Sequence, residues 1–176
     1  MPPVYRKRSV PSRCTAASGR EAPSRSSAAR VAVTSETATY FILSYALTKF
    51  ILALMNPGDE VLYPNPGYPI YESQIEFHGG KAVPYAYFEG AEGFELGIDS
   101  MESQITPRTK LLIVNDLQNP TGAECSAGER ERLAELVLKH GLYVLCDEAY
   151  FDIRYEGKSY SLASLPGMGT MVPLVT

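Results

Sequence analysis

Two stretches of this chain carry residue types able to hold a ligand, Asn119-Pro120-Thr121-Gly122 and, further on, Asp147-Glu148-Ala149-Tyr150. The first follows Lys110-Leu111-Leu112-Ile113-Val114, a short apolar run that reads as a buried parallel strand. The second ends another such run, Leu142-Tyr143-Val144-Leu145-Cys146. Between them Ser126 and Glu129 form a capping box, and Leu133, Leu136, Val137 and His140 recur at helical spacing up to Gly141. An amide in a strand-to-helix loop and a carboxylate at a strand end therefore emerge on one edge of a sheet, where open α/β sheets bind their ligands. A strand-end acid also suits the Mg²⁺ site of a nucleotide hydrolase, which needs Gly-x-x-x-x-Gly-Lys-Ser/Thr. Gly157-Lys158-Ser159 has Asp152 where the first Gly should stand, and it follows the acid, so that reading is set aside.

The remaining segments supply the scaffold. A helix is expected over 36–55, and a turn at Asn56-Pro57-Gly58-Asp59 ends it. Glu60-Val61-Leu62-Tyr63 reads as a strand, and Pro64, Pro66 and Pro69 lead extended chain into a helix running to about Phe77, broken by Gly79-Gly80. Ala82 to Tyr87 alternates as a strand, with Pro84 placing it at an edge. Residues 88–98 read as a Gly- and Glu-rich loop, Asp99 as the cap of a short helix through Gln104, and Phe151-Asp152-Ile153-Arg154-Tyr155 as a short extended piece. Strands alternating with helices predict an α/β fold, a parallel or mixed doubly wound sheet with flanking helices.

Composition narrows the function classes. The 176 residues are enough for one domain with a substantial core, and 45% hydrophobic and 20% charged residues are ordinary for a globular protein. The net charge of −4 is uneven: residues 1–30 hold seven Lys or Arg and one acid, whereas the acidic body gives no support to nucleic-acid binding. The odd set Cys14, Cys125 and Cys146 points to a reducing, cytoplasmic setting, and with His78 and His140 far apart no metal site is expected. The apolar run from Tyr40 to Met55 is too short, and carries Lys49, so a buried helix is expected rather than a membrane span. Residues 1–30, rich in Ser, Arg, Ala and Pro, are expected to be a disordered tail; an organellar transit peptide is the alternative, weakened by four prolines.

Asn-Pro-Thr-Gly followed by an apolar strand ending Asp-Glu-Ala-Tyr resembles the fold-type I, pyridoxal-phosphate-dependent aminotransferases of class I/II. Upstream, Asn56-Pro57-Gly58-Asp59-Glu60-Val61-Leu62 and Pro64-Asn65-Pro66-Gly67-Tyr68-Pro69-Ile70-Tyr71 are similar to the segment of that family that reaches the cofactor. The resemblance covers roughly residues 44–165. It implies that residues 31–176 are part of a large, cofactor-binding domain, with the small domain absent. It also implies pyridoxal 5'-phosphate as cofactor, an amino acid and a 2-oxo acid as substrates, and a homodimer in the full-length form.

By the same resemblance Asp147 would hold the protonated pyridine nitrogen, Asn119 and Tyr150 the phenolic oxygen, and Tyr68 would stack on the ring. Ser44 is the residue closest to the family's phosphate-holding turn, a helix N-terminus acting as an anion site. Tyr71 receives no role. The family's Schiff-base lysine follows Ser-x-Ser, and none of Lys49, Lys81, Lys110, Lys139 and Lys158 does. The 176 residues alone are therefore expected to lack transaminase activity. Two alternatives stand beside this reading: a non-catalytic remnant or binding protein of the same fold, and a lyase or synthase using the same cofactor.

Overall fold

The two apolar runs flanking the first motif become neighbouring central strands, β5 (Thr109–Asn115) and β6 (Tyr143–Asp147), paired in parallel from Leu111↔Tyr143 to Asn115↔Asp147. The computed structural model describes residues 35–91, 93–168 and 174–175, all in the unit Val33–Thr176. The basic tail expected over 1–30 lies outside the described residues. In chain order the elements are α1 (Ser35–Leu54), β1 (Glu60–Pro64), α2 (Ile70–Phe77), β2 (Lys81–Tyr85), β3 (Tyr87–Gly90), β4 (Gly93–Leu96), α3 (Ile98–Ser103), β5, α4 (Ala127–His140), β6 and β7 (Leu174–Val175). A 3₁₀ turn spans Leu162–Ser164.

Five strands form one parallel sheet in the order β2-β1-β5-β6-β7. Successive side chains of a strand face opposite sides, so runs apolar at every position must be covered on both. On one face Leu62, Leu112, Val114, Val144 and Cys146 pack with Leu133, Leu136 and Val137 of α4 and Met101 of α3. On the other, Val61, Tyr63, Leu111, Ile113 and Leu145 pack with Leu47 and Ile51 of α1 and Tyr71 and Ile75 of α2. Each such aliphatic side chain contributes about 1.5–3 kcal/mol by burial, which holds the sheet as a two-sided partition. Helix α4 begins at the expected capping box, with reciprocal bonds between Ser126 and Glu129, and ends at Gly141, whose φ of 63° the left-handed cap requires. No helix among the described residues is long and apolar enough to cross a membrane.

Four local expectations are corrected. Residues 88–98 are not a loop: β3 and β4 form an antiparallel hairpin, Tyr87↔Leu96 to Gly90↔Gly93, because Tyr87, Phe88 and Phe94 favour strands while the glycines make the turn. Helix α3 is capped by Gly97 without a side-chain bond, and Asp99 sits in its first turn. Residues 151–155 form turns, closed by Phe151 N–H to Glu148 O at 2.9 Å and Ile153 N–H to Tyr150 O at 2.9 Å. His140 is not on the apolar face of α4; it is exposed and lies 3.2 Å from the Glu102 carboxylate.

The amino-terminal edge of the sheet is fixed by Glu60, which is 1% exposed. Its carboxylate accepts from Thr106 Oγ1 at 2.6 Å, Arg108 Nη2 at 3.0 Å and Lys81 Nζ at 3.1 Å. These donors, Thr106 foremost, pull its pKa down to about 2 against the opposing effect of burial. The opposite edge carries the segments that follow β1, β5 and β6.

Candidate functional site

At the carboxyl edge the chain leaves β1 for β2 on one side and later returns to β5 on the other, so the topological switch lies between β1 and β5. Open α/β sheets bind ligands at such a switch. Three segments arrive there: 64–71 after β1, 115–122 after β5, and 147–150 after β6. Polar side chains lock them together. Gln118, 1% exposed, donates through Nε2 to Pro66 O at 2.6 Å and to Asn119 O at 2.8 Å, while its Oε1 accepts Thr121 N–H at 3.0 Å. Asn115, 2% exposed, donates to Asp147 O at 3.0 Å and accepts Asn119 N–H at 3.0 Å. The Asp116 carboxylate accepts the N–H groups of Leu117 at 3.0 Å and Cys125 at 2.9 Å. Leu117 itself has φ 53°, a left-handed backbone that costs a branched residue free energy and persists only where its surroundings fix it. Gly67 is needed by space: a Cβ there would stand 2.1 Å from Pro64 O.

Asp147 is 7% exposed. Its Oδ1 accepts Ala149 N–H at 3.2 Å, and its Oδ2 accepts the Tyr71 hydroxyl. Tyr71 is fully buried, and burial together with the Asp147 charge raises its pKa far above the ordinary phenol. It therefore acts as a hydroxyl donor at any physiological pH. Tyr68 meets Tyr71 edge-on, with ring centroids 5.8 Å apart. On the outer side Asn119 and Tyr150 come together, amide Nδ2 to hydroxyl at 3.3 Å. Both line an open cavity of about 670 Å³ that Gly122, Ile153, Arg154 and Tyr155 also bound.

Four of the five expected residues are thus joined in one unbroken series of contacts: Tyr68 to Tyr71, Tyr71 to Asp147, Asp147 through Asn115 to Asn119, and Asn119 to Tyr150. Such a set offers a carboxylate to a cationic nitrogen and an amide beside a phenol to an anionic oxygen. Ser44 does not join them. It lies in the middle of α1, not at a helix N-terminus, because no Gly or Pro interrupts the run from Ser35 to Leu54. Its carbonyl is bonded by the Thr48 hydroxyl at 2.8 Å within the helix. Ser44 thus stands within the helix and apart from the other four residues.

Sequence reasoning missed Tyr71, Asn115 and Gln118. The one signal available was position: Tyr71 stands three residues beyond Tyr68, in the first turn of α2, and Asn115 closes its strand just before the loop. Other nucleophiles recede. Burial pushes the Cys125 thiol up to about 12 and the Cys146 thiol higher, leaving both protonated. Lys81 is engaged by Glu60 and Lys139 by Glu102. Among the described residues no cluster suits a metal ion.

Residues 27–176 match the family model described as aminotransferase class I and II. The arginine–pyruvate transaminase AruH of Pseudomonas aeruginosa is 37% identical over 123 residues, covering 70% of this chain and 31% of the relative. The alanine aminotransferase of Mycobacterium tuberculosis is 40% identical over 124 residues, covering 70% and 29%. The N-succinyldiaminopimelate aminotransferase of M. tuberculosis superposes with a TM-score of 0.72 at 32% identity, over 75% of this chain and 35% of that one. The chain spans about a third of the length of these relatives. Matched over most of its own length, it belongs to the class I and II aminotransferases, a family whose cofactor is pyridoxal phosphate.

Proposed function

We propose that the whole protein is an aminotransferase moving an amino group between an amino acid and a 2-oxo acid, and that this chain is the part that grips the cofactor ring. Asp147 would hold the ring nitrogen in its protonated form, Asn119 and Tyr150 would donate to the phenolic oxygen, and Tyr68 would stack on the ring. When bound, pyridoxal phosphate supplies an electron sink for the bonding pair released at the substrate's α-carbon. The chain's own residues bind and orient: Tyr71 and Ala149 aim the Asp147 carboxylate, and Gln118 and Asn115 fix the loop that presents Asn119. Residues 31–176 are then part of the large domain of a cytoplasmic homodimer, with the free thiols of Cys125 and Cys146 in keeping with a reducing compartment.

The observation that carries this reading is the continuous contact series from Tyr68 to Tyr150 at the sheet's switch point. Calorimetric titration with pyridoxamine 5'-phosphate, which forms no adducts with surface lysines, tests it. Saturable binding is expected, weakened about 10- to 150-fold in Asp147→Ala, as the loss of a charged hydrogen bond implies. Absence of saturable binding, or equal affinity in the variant, would refute it. No lysine of these 176 residues follows Ser-x-Ser, so cofactor-dependent amino transfer by this chain alone is expected to be nil.

A further inference from the structure

Asn115 closes β5 directly opposite Asp147, and its side chain is enclosed. Both ends of its amide are used. Nδ2 donates to the main-chain carbonyl of Asp147 at 3.0 Å, and Oδ1 accepts the N–H of Asn119 at 3.0 Å. Its own carbonyl accepts the Tyr87 hydroxyl at 3.3 Å, which anchors the strand end from outside the sheet. The backbone ladder between β5 and β6 stops at this pair, so beyond it the two segments are free to diverge. The chain must then pass through the left-handed Leu117 before it reaches Asn119. Gln118 ties that loop to Pro66, toward β1, and not to β6. Asn115 joins the Asn119 loop to the Asp147 strand end from the buried side, and the exposed Asn119–Tyr150 contact joins the same two segments farther out.

We propose that Asn115 is a positioning residue that sets the separation between Asn119 and Asp147, and thereby the fit of the ring held between them; this rests on the ring-holding assignment above. A buried amide satisfied at both ends is costly to replace, because truncation strands a carbonyl on one side and an N–H on the other. Its effect should fall on ligand fit rather than on the fold alone. Val114, its neighbour, serves as the contrast: it packs in the core and touches neither segment through a polar bond.

The test uses the full chain with pyridoxamine 5'-phosphate as probe, together with thermal melting and amide hydrogen exchange. Asn115→Ala should weaken binding by about tenfold or more, whereas Val114→Ala should lower the melting temperature at unchanged affinity. Asn115→Ser, which keeps a short polar group, should recover part of the loss. In the unsubstituted chain the Asn119 amide should exchange slowly although its side chain is exposed, a reading that needs neither ligand nor variant. Asn115→Ala binding within about twofold of the unsubstituted chain overturns this proposal alone. Free exchange at Asn119 overturns it too. Failure of the unsubstituted chain to bind overturns the ring-holding assignment and this proposal with it.

Discussion

Tyr71→Phe removes one hydroxyl and leaves the ring that fills the space beneath β1 and β5. The lost interaction is a hydrogen bond to a carboxylate, a class worth about 1.5–3 kcal/mol. Tyr71 is fully buried and Asp147 is 7% exposed, so water does not readily replace the missing donor. Only Ala149 N–H then remains on the Asp147 carboxylate. The variant should lose about 1.5–3 kcal/mol near neutral pH, a fall in melting temperature of roughly 3–12 °C for a unit of this size. Alkaline pH adds a signature. Burial and the Asp147 charge raise the Tyr71 pKa above its ordinary 10.0. The fold favours the protonated phenol, so its contribution is fully present below about pH 10 and is lost as pH rises beyond it. Phenylalanine has no proton to lose, so the stability gap should narrow with rising pH. Tyr85 and Tyr87, also raised by burial, will leave a shared residual slope. Urea denaturation followed by circular dichroism, at neutral pH and above pH 10, reads both effects. Equal midpoints at neutral pH, or a gap that stays constant with pH, would refute the claim that Tyr71 is held by Asp147.

Glu60→Gln should cost about 1–2 kcal/mol at neutral pH, well below the full worth of the shift because the Lys81 and Arg108 side chains are 64% and 67% exposed and screened. The Glu60 pKa is depressed, so this stability is present above the ordinary 4.5 and lost as pH falls toward about 2; acid titration of both proteins should show their midpoints converging in that window. Ser126→Ala breaks the reciprocal bonds with Glu129 at the start of α4 and should cost about 1 kcal/mol, read as a shift in urea midpoint at unchanged slope.

Much of the scaffold was legible because it rests on local patterns. The runs 110–114 and 142–146 could only be two-sided strands, and Ser126 with Glu129 marks a helix start whatever surrounds it. The placement of Asn119 in the loop after β5 and of Asp147 at the end of β6 was legible for the same reason, since each strand fixes where its loop begins. The hairpin at 87–96 was hidden by Gly90, Gly93 and the glutamates at 89, 92 and 95, which outweighed three aromatics in a short window. Ser44 was sought at a helix start but lies inside α1, because the run around it holds no breaker. Tyr71 could not be assigned because its meaning lies in a partner 76 residues away, and a phenol behind a proline looks the same with or without one. Asn115 received no role because nothing in its neighbours shows that its amide turns inward.

The separation between Tyr71 and Asp147 also has a consequence in time. During synthesis at about 5–20 residues per second, the donor is made roughly 4–15 s before its acceptor. Over that interval β1 and β2 can pair, but the other edge of β1 waits for β5, and the Tyr71 hydroxyl waits for β6. The site therefore closes late, after β1 has met β2 and β5, with β7 still to be added on the far side of β6. A chaperone that shields the open edge of β1 would guard the segment after β1 until those after β5 and β6 arrive.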